Sequence, residues 1–240
     1  MIRPMTQRRR FCLPGTRPIS SALSEFGLGS GLLYLTSRLL DRVKAPFRLH
    51  FYELMAQPVR TSPVLPANLL RNMELREIGQ GDPALFYMPV SQEKLQDRFT
   101  MPTVCLGAFQ NGRIIAYMWL CFGGYEEDEV RCRFVPAPED KAVWDFDFYV
   151  FPEDRLGIGF VSLWDFANAL LSARGYTHSC SRVNKFNLQS RKSHKHFDWK
   201  SVGSALFLKG RNWQAMAATL PPYVSLSLTP DSRPVLRVTP

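Results

Sequence analysis

The chain has 240 residues, 45% of them hydrophobic and 21% charged, with a formal net charge of +9. That length and apolar content support a sizeable buried core and exclude a low-hydropathy disordered chain. Cys12, Cys105, Cys121, Cys132 and Cys180 are odd in number and scattered, with no CxxC pair. This argues against a disulfide framework or a zinc site and favours a reducing, cytoplasmic setting.

The charge is unevenly placed. Residues 1–60 carry ten Lys/Arg against three acids, residues 61–169 nine against sixteen, and residues 170–211 nine against one. A nucleic-acid binder presents a continuous basic surface, so nucleic acid is not the expected partner. A small anionic ligand near residues 182–195 fits the pattern at least as well.

Residues 1–20 read as a solvated basic tail. Arg3, Arg8, Arg9, Arg10 and Arg17 are followed by no apolar run, so the segment is not a secretory signal. Residues 21–66 form a helix-strand extension, with Leu32, Leu35, Leu39 and Val43 on one helix face. The apolar run is shorter than the ~20 residues of a membrane span. The helix is expected to pack on the domain, with peripheral membrane contact through Arg38, Arg42 and Lys44 as the alternative. A strand over Phe47–Val59 follows, and Pro58, Pro63 and Pro66 then mark a linker.

Residues 67–212 make the main domain. Met73–Ile78 reads as a strand and Ser91–Phe99 as a short helix capped by Ser91. Val104–Phe109, Asn111-Gly112 and Arg113–Phe122 spell a tight hairpin, because Asn-Gly supplies the positive φ angles of a two-residue turn. Val130–Val135 and Ala142–Val150 are expected to continue the sheet antiparallel. A loop to Gly159 and a helix from Phe160 to Ala173, stopped by Gly175, lead to a strand over Tyr176–Val183. That strand should return parallel beside Val143–Val150, and Val202–Lys209 should finish the sheet. Residues 213–240 read as a Pro/Ser-rich tail lying loosely on the surface.

A strand, a Gly-punctuated turn and a helix in that order make an anion site. The helix start offers backbone N–H groups and the positive end of a dipole. In the strand, period-two geometry sends Asp145 and Asp147 to one face and Trp144, Phe146 and Phe148 to the other. Two acids on one face of an inner strand are costly unless that face is a pocket. There Asp145 would act as base toward an amine and Asp147 would bind it; alternatively both pair with Arg131 and Arg133 across the sheet. The acidic run Glu126–Glu129 reads as a solvated loop. Four scattered histidines, His50, His178, His194 and His196, give no metal spacing.

Over residues 70–210 the order of elements, together with Asn187-x-x-Ser190-x-x-x-His194-x-x-x-Asp198-Trp199, resembles the GNAT superfamily of acyl-CoA-dependent N-acyltransferases. The resemblance implies a mixed-sheet α/β fold and direct transfer of an acetyl or longer acyl group from acyl-CoA to an amine acceptor. It implies no metal. The family's turn, Arg/Gln-x-x-Gly-x-Gly/Ala, falls on Asp154, Gly157, Ile158 and Gly159, with Arg155 and Leu156 between. Its backbone amides would hold the CoA pyrophosphate, and a carboxylate at position 154 must then point away. Backbone N–H groups of Phe148, Tyr149 and Val150 would polarise the thioester. Asn187 and Ser190 would hold the pantetheine arm, and His194 stands where the family has a tyrosine that protonates the leaving thiolate. An acyl carrier protein is a second donor to consider. The competing readings are a non-catalytic acyl-CoA-binding module on the same fold and a basic membrane or nucleic-acid adaptor.

Overall fold

The structure is a computed structural model that describes residues 19–187 and 198–240, with side chains from residue 27 onward. In chain order it comprises α1 (Ile19–Arg42), β1 (Arg48–Pro58), β2 (Met73–Ile78), α2 (Gln92–Thr100), β3 (Thr103–Gln110), β4 (Arg113–Cys121), β5 (Tyr125–Glu126) and β6 (Arg133–Pro136). Then follow β7 (Ala142–Val150), α3 (Gly159–Ala173), β8 (His178–Asn184), β9 (Lys200–Lys209), β10 (Gln214–Ala218), β11 (Val224–Ser227) and β12 (Val235–Val238). Nine strands form one mixed sheet in the order β11-β10-β9-β1-β8-β7-β4-β3-β2, and β12-β6-β5 form a second, small sheet. The mixed α/β architecture is the one the resemblance implied.

The hairpin of β3 and β4 turns at Asn111 (φ 52°) and Gly112 (φ 75°), as the Asn-Gly pair dictates. Ser91 caps α2 by accepting from the backbone N–H of Lys94. β7 pairs antiparallel with β4 and parallel with β8, so α3 is the crossover between parallel neighbours.

Three expectations are corrected. β1, read as part of an N-terminal extension, lies inside the sheet, antiparallel to both β8 and β9. Its residues Tyr52, Leu54, Met55 and Ala56 are buried, a burial pattern an edge appendage would not show. β6 leaves the main sheet and pairs with β5 and β12, stacking Phe134 on Trp144 at 4.7 Å. The C-terminal segment does not lie loosely: β10 and β11 extend the sheet, and Leu236 and Val238 of β12 are fully buried. Here burial of alternate side chains on β12 outweighs the Pro/Ser-rich composition around it.

Each face of the large sheet has its own apolar layer. Leu163, Trp164, Ala167 and Leu171 of α3 cover Leu106, Ile115, Met118, Leu120 and Val143 on one face. On the other, α2 and the small sheet cover Tyr52, Trp119, Trp144, Phe146 and Phe207. α1 contacts β1, its Tyr34 meeting Phe186 edge-on, and Phe186 packs on Phe51. Most of the apolar stripe of α1 expected to face inward is turned out, with Leu35 half-buried. Leu32, Leu39 and Val43 are 60%, 59% and 62% exposed, while Gly31 and Tyr34 are buried.

Candidate functional site

β7 and β8 begin as hydrogen-bonded parallel neighbours and then part. Their register runs Ala142↔His178, Val143↔Ser179 and Trp144↔Cys180, and there the pairing ends, although β7 continues to Val150 and β8 to Asn184. A wedge therefore opens between them. One wall is the β7 edge from Asp145 on, whose backbone groups on that side have no ladder partner in β8.

A bulge sharpens this wall. Tyr117 pairs with Tyr149 and Trp119 with Phe146, so the single residue Met118 stands opposite both Asp147 and Phe148. Asp147 carries the extra residue's strain at φ 49°. A bulge leaves backbone groups unpaired and re-aims side chains, which here breaks the expected alternation. Asp145 joins the face that carries Val143. Asp147 turns to the opposite face, and Phe148 goes to the α3 side, where it packs on Phe160 and Trp164. The two acids therefore do not share a face, and neither do the three aromatics.

Asp147 is not an open ammonium binder. Arg98 of α2 holds its carboxylate at 2.6 Å, with Asp128 at 3.4 Å from the same guanidinium. That guanidinium lies 5.4 Å from the Trp119 ring centre and 5.1 Å from that of Phe146. Burial disfavours its charge, but Asp147 more than offsets this and raises the arginine's pKa. Neither Arg131 nor Arg133 pairs with Asp145 or Asp147: Arg131 donates to the carbonyls of Asn212 and Thr229, and Arg133 faces Glu126.

Asp145 is 5% exposed and accepts a 2.7 Å hydrogen bond from the Ser179 hydroxyl. Burial pushes its carboxyl from 3.8 up to about 7, and hydrogen bonds from Ser179 and Ser181 offset only part of that. A carboxyl titrating near neutrality at the vertex of the wedge can give up or take a proton at working pH.

At the far end of β7 the chain turns through Phe151–Ile158 into α3. Gly157 donates its N–H to the Asp154 carbonyl at 2.9 Å, and Ser162 N–H is bonded to the Ile158 carbonyl. By helix geometry the amides before Ser162 lack intrahelical acceptors. Gly159 lets α3 sit down on β4, since a Cβ there would stand 3.1 Å from Ile115 Cδ1. The Asp154 carboxylate does point away. Arg113 grips both of its oxygens at 2.8 Å, so the turn presents backbone amides and the exposed Arg155, Leu156 and Gly157. These residues suit a pyrophosphate.

On the opposite wall, Arg182 of β8 is locked to Glu127 by contacts of 2.9 and 2.6 Å and lies 3.0 Å from Glu129. It also sits over the Tyr52 ring at 4.3 Å, and Tyr52 donates its hydroxyl to Glu129 at 2.8 Å. The acidic run is thus no solvated loop: Glu126 meets Arg233, Asp128 meets Lys94 and Arg98, and the other two meet Arg182. Sequence reasoning missed Arg98, Arg113 and Tyr52; Arg182, in the 182–195 stretch expected to meet a small anion, is engaged by Glu127 and Glu129 instead. The alternating blocks of charge held the only signal, that basic and acidic segments meet in space. Asn187 follows β8 and donates its backbone N–H to the Asn184 carbonyl at 2.8 Å. Ser190 and His194 lie outside the described residues.

No family model and no curated protein matches the sequence. Solved structures do align in fold. A functionally unknown conserved protein from Staphylococcus epidermidis is 9% identical with a TM-score of 0.48, over 71% of this chain and 65% of that one. A putative GNAT-family acetyltransferase from Novosphingobium aromaticivorans is 12% identical with a TM-score of 0.46, over 70% and 69%. An aminoglycoside acetyltransferase from a soil metagenomic sample is 11% identical with a TM-score of 0.38, over 53% and 88%. The chain thus spans about two thirds of the first two. Several of the solved structures found are acetyltransferases, and two are named as GNAT proteins.

Proposed function

We propose that the chain transfers an acyl group from acyl-CoA to an amine by direct attack within the wedge between β7 and β8. The observation that carries this reading is the end of parallel pairing at Trp144/Cys180 beside a strand that runs on, bulges at Asp147 and leads into the Gly157–Gly159 turn. One continuous segment then supplies three functions. The turn and the start of α3 hold the diphosphate, the unpaired β7 edge offers hydrogen bonds to an extended arm, and the bulge aims backbone N–H groups at the thioester oxygen.

Acyl-CoA supplies the activated carbonyl. The protein holds that carbonyl against the amine and removes a proton from the attacking nitrogen. Asp145 is the proton acceptor, through the Ser179 and Ser181 hydroxyls that touch it, because a carboxyl near 7 is half ionised at working pH. Asp147, committed to Arg98, holds the bulge rather than the acceptor. His194 remains the proposed donor to the leaving thiolate, with Asn187 and Ser190 on the pantetheine arm.

Calorimetric titration with acetyl-CoA and longer acyl-CoAs tests the assignment. Wild type should bind in the micromolar range, and Gly157→Glu, which puts a carboxylate where the diphosphate sits, should weaken binding about 100-fold or more. Equal affinity in the two proteins would remove the cofactor from this turn.

A further inference from the structure

A cavity of about 420 Å³ lies at the end of the sheet where β1 begins and β9 finishes, lined by Phe47, Arg48, His50, Glu129, Lys209 and Arg211 among others. Two of its cations have no counter-charge. Arg48 and Arg211 have no ion-pair or hydrogen-bond partner among the described residues, and the Lys209 ammonium rests on the backbone carbonyl of Glu129. The one acid in the lining among the described residues, Glu129, is already engaged by Tyr52 and Arg182. Burial works against its charge, yet Arg182 and the Tyr52 hydroxyl hold its pKa below the ordinary value. Arg48 and Arg211 thus line the cavity without a carboxylate of their own, and Lys209 shares Glu129 and Glu127 with Arg182. Like charges gathered this way cost free energy unless an anion joins them.

The position of the cavity in the sheet says which anion. It lies on β1 and β9, whereas the Gly157–Gly159 turn follows β7, so β8 and the wedge stand between. Three strand spacings of ~4.8 Å separate β7 from β9, roughly 14 Å before the splay is counted. One ligand diphosphate cannot occupy both places. The wedge and the cavity are nevertheless joined on one face by the chain Glu127–Arg182–Glu129–Tyr52, with His50 Nδ1 3.4 Å from the Tyr52 hydroxyl. From the vertex at Cys180 to Asn184, which faces Tyr52, is four residues, or about 13 Å of strand.

We propose that this cavity seats an anionic group of the acceptor, a phosphate or carboxylate carried roughly 10–15 Å from the amine that enters the wedge, about three or four extended residues' reach. The assignment of the anion as part of the acceptor rests on the acyl-transfer reading above. Arg48 and Arg211 supply planar, multi-donor contacts to its oxygens, Lys209 a third charge, and His50 a neutral ring at the back. The class of substrate that follows is an amine bearing an acidic group at its far end, not a polycation of the aminoglycoside kind.

The test follows the His50 ring signals by NMR in the full chain, saturated with acetyl-CoA so that the turn is occupied. Inorganic phosphate and, separately, succinate are then titrated in. Saturable movement of His50 is expected, stronger with phosphate if the natural group is a phosphate and with succinate if it is a carboxylate. The double variant Arg48→Gln/Arg211→Gln should weaken that binding at least about tenfold and leave acetyl-CoA affinity unchanged. No saturable movement of His50, or equal anion binding in the double variant, overturns the proposal. If acetyl-CoA itself fails to bind while phosphate still moves His50, the acyl-transfer reading falls and with it the acceptor role, but the anion cavity stands. With acetyl-CoA bound, transfer to the amine of a four-residue peptide ending in phosphoserine or glutamate should exceed transfer to the uncharged counterpart in wild type, and the double variant should erase the preference.

Discussion

Asp145 ties the fold to pH in a way that one substitution isolates. Its carboxyl moves from 3.8 to about 7 on folding because burial withdraws water from the charged form. A move of that size corresponds to roughly 4 kcal/mol. The sign follows from proton counting. Between about pH 4 and about pH 7 the native state holds a proton that the unfolded chain has released, so stability falls as pH rises across that window. Below it the contribution vanishes; above it the full cost is present. Asparagine at position 145 keeps an oxygen for the Ser179 hydroxyl and cannot ionise. Urea denaturation of wild type and Asp145→Asn should therefore give similar stabilities near pH 4, with the variant gaining about 2–4 kcal/mol relative to wild type by about pH 8. Acetyl transfer should behave oppositely: the variant loses about 100-fold or more, and the limb of its rate profile near pH 7 flattens. Parallel stability curves in the two proteins would refute the burial argument, and unchanged transfer would refute the role as base.

Three further expectations can be checked alongside it. Arg113→Ala frees the Asp154 carboxylate to face the turn, so acetyl-CoA affinity should fall about tenfold at low salt and recover partly as salt screens the charge, measured by titration at two ionic strengths. Arg98→Met strands Asp147 on the bulge and should cost about 3 kcal/mol in urea, with kcat falling more than acetyl-CoA affinity; Asp147→Asn in the same background should restore part of the stability. Leu236→Ala empties a fully buried site between the small sheet and β7, and a loss of about 2–5 kcal/mol in urea denaturation would show that the C-terminal strand belongs to the core.

Local chemistry was legible in the sequence; pairing at a distance was not. Asn111-Gly112 names its turn because only a few residues adopt positive φ, and the β7–loop–α3 order is written in consecutive residues. The bulge at Asp147 is one extra residue, and a pattern of alternating acids and aromatics looks the same with or without it until the partner strand is known. The same ignorance of partners hid Arg98 and the carboxylates that claim Arg182, each pair coming from elements far apart along the chain. β12 was missed for a related reason: four residues, Val235 to Val238, alternate correctly, but nothing near them reveals the strand β6 that makes the alternation meaningful. The exposed side of α1 shows the converse, since an apolar stripe at helical spacing says which residues share a face and not what that face meets.

The position of β1 has a consequence for how the molecule is made. The strand leaves the ribosome first among the nine of the large sheet, yet both its neighbours come late: Arg48 pairs with Lys209, and Tyr52 with Asn184. β2, β3 and β4 form an unbroken antiparallel run that can close during synthesis, while β1 waits with two bare edges until β8 and β9 emerge. Such long-range closure is slow, and an apolar strand with open edges is a template for wrong partners in the meantime. Truncation before residue 209 should thus yield a chain that aggregates rather than a smaller stable domain, and recovery of soluble protein should depend on chaperone capacity during synthesis more than on the stability of the finished fold.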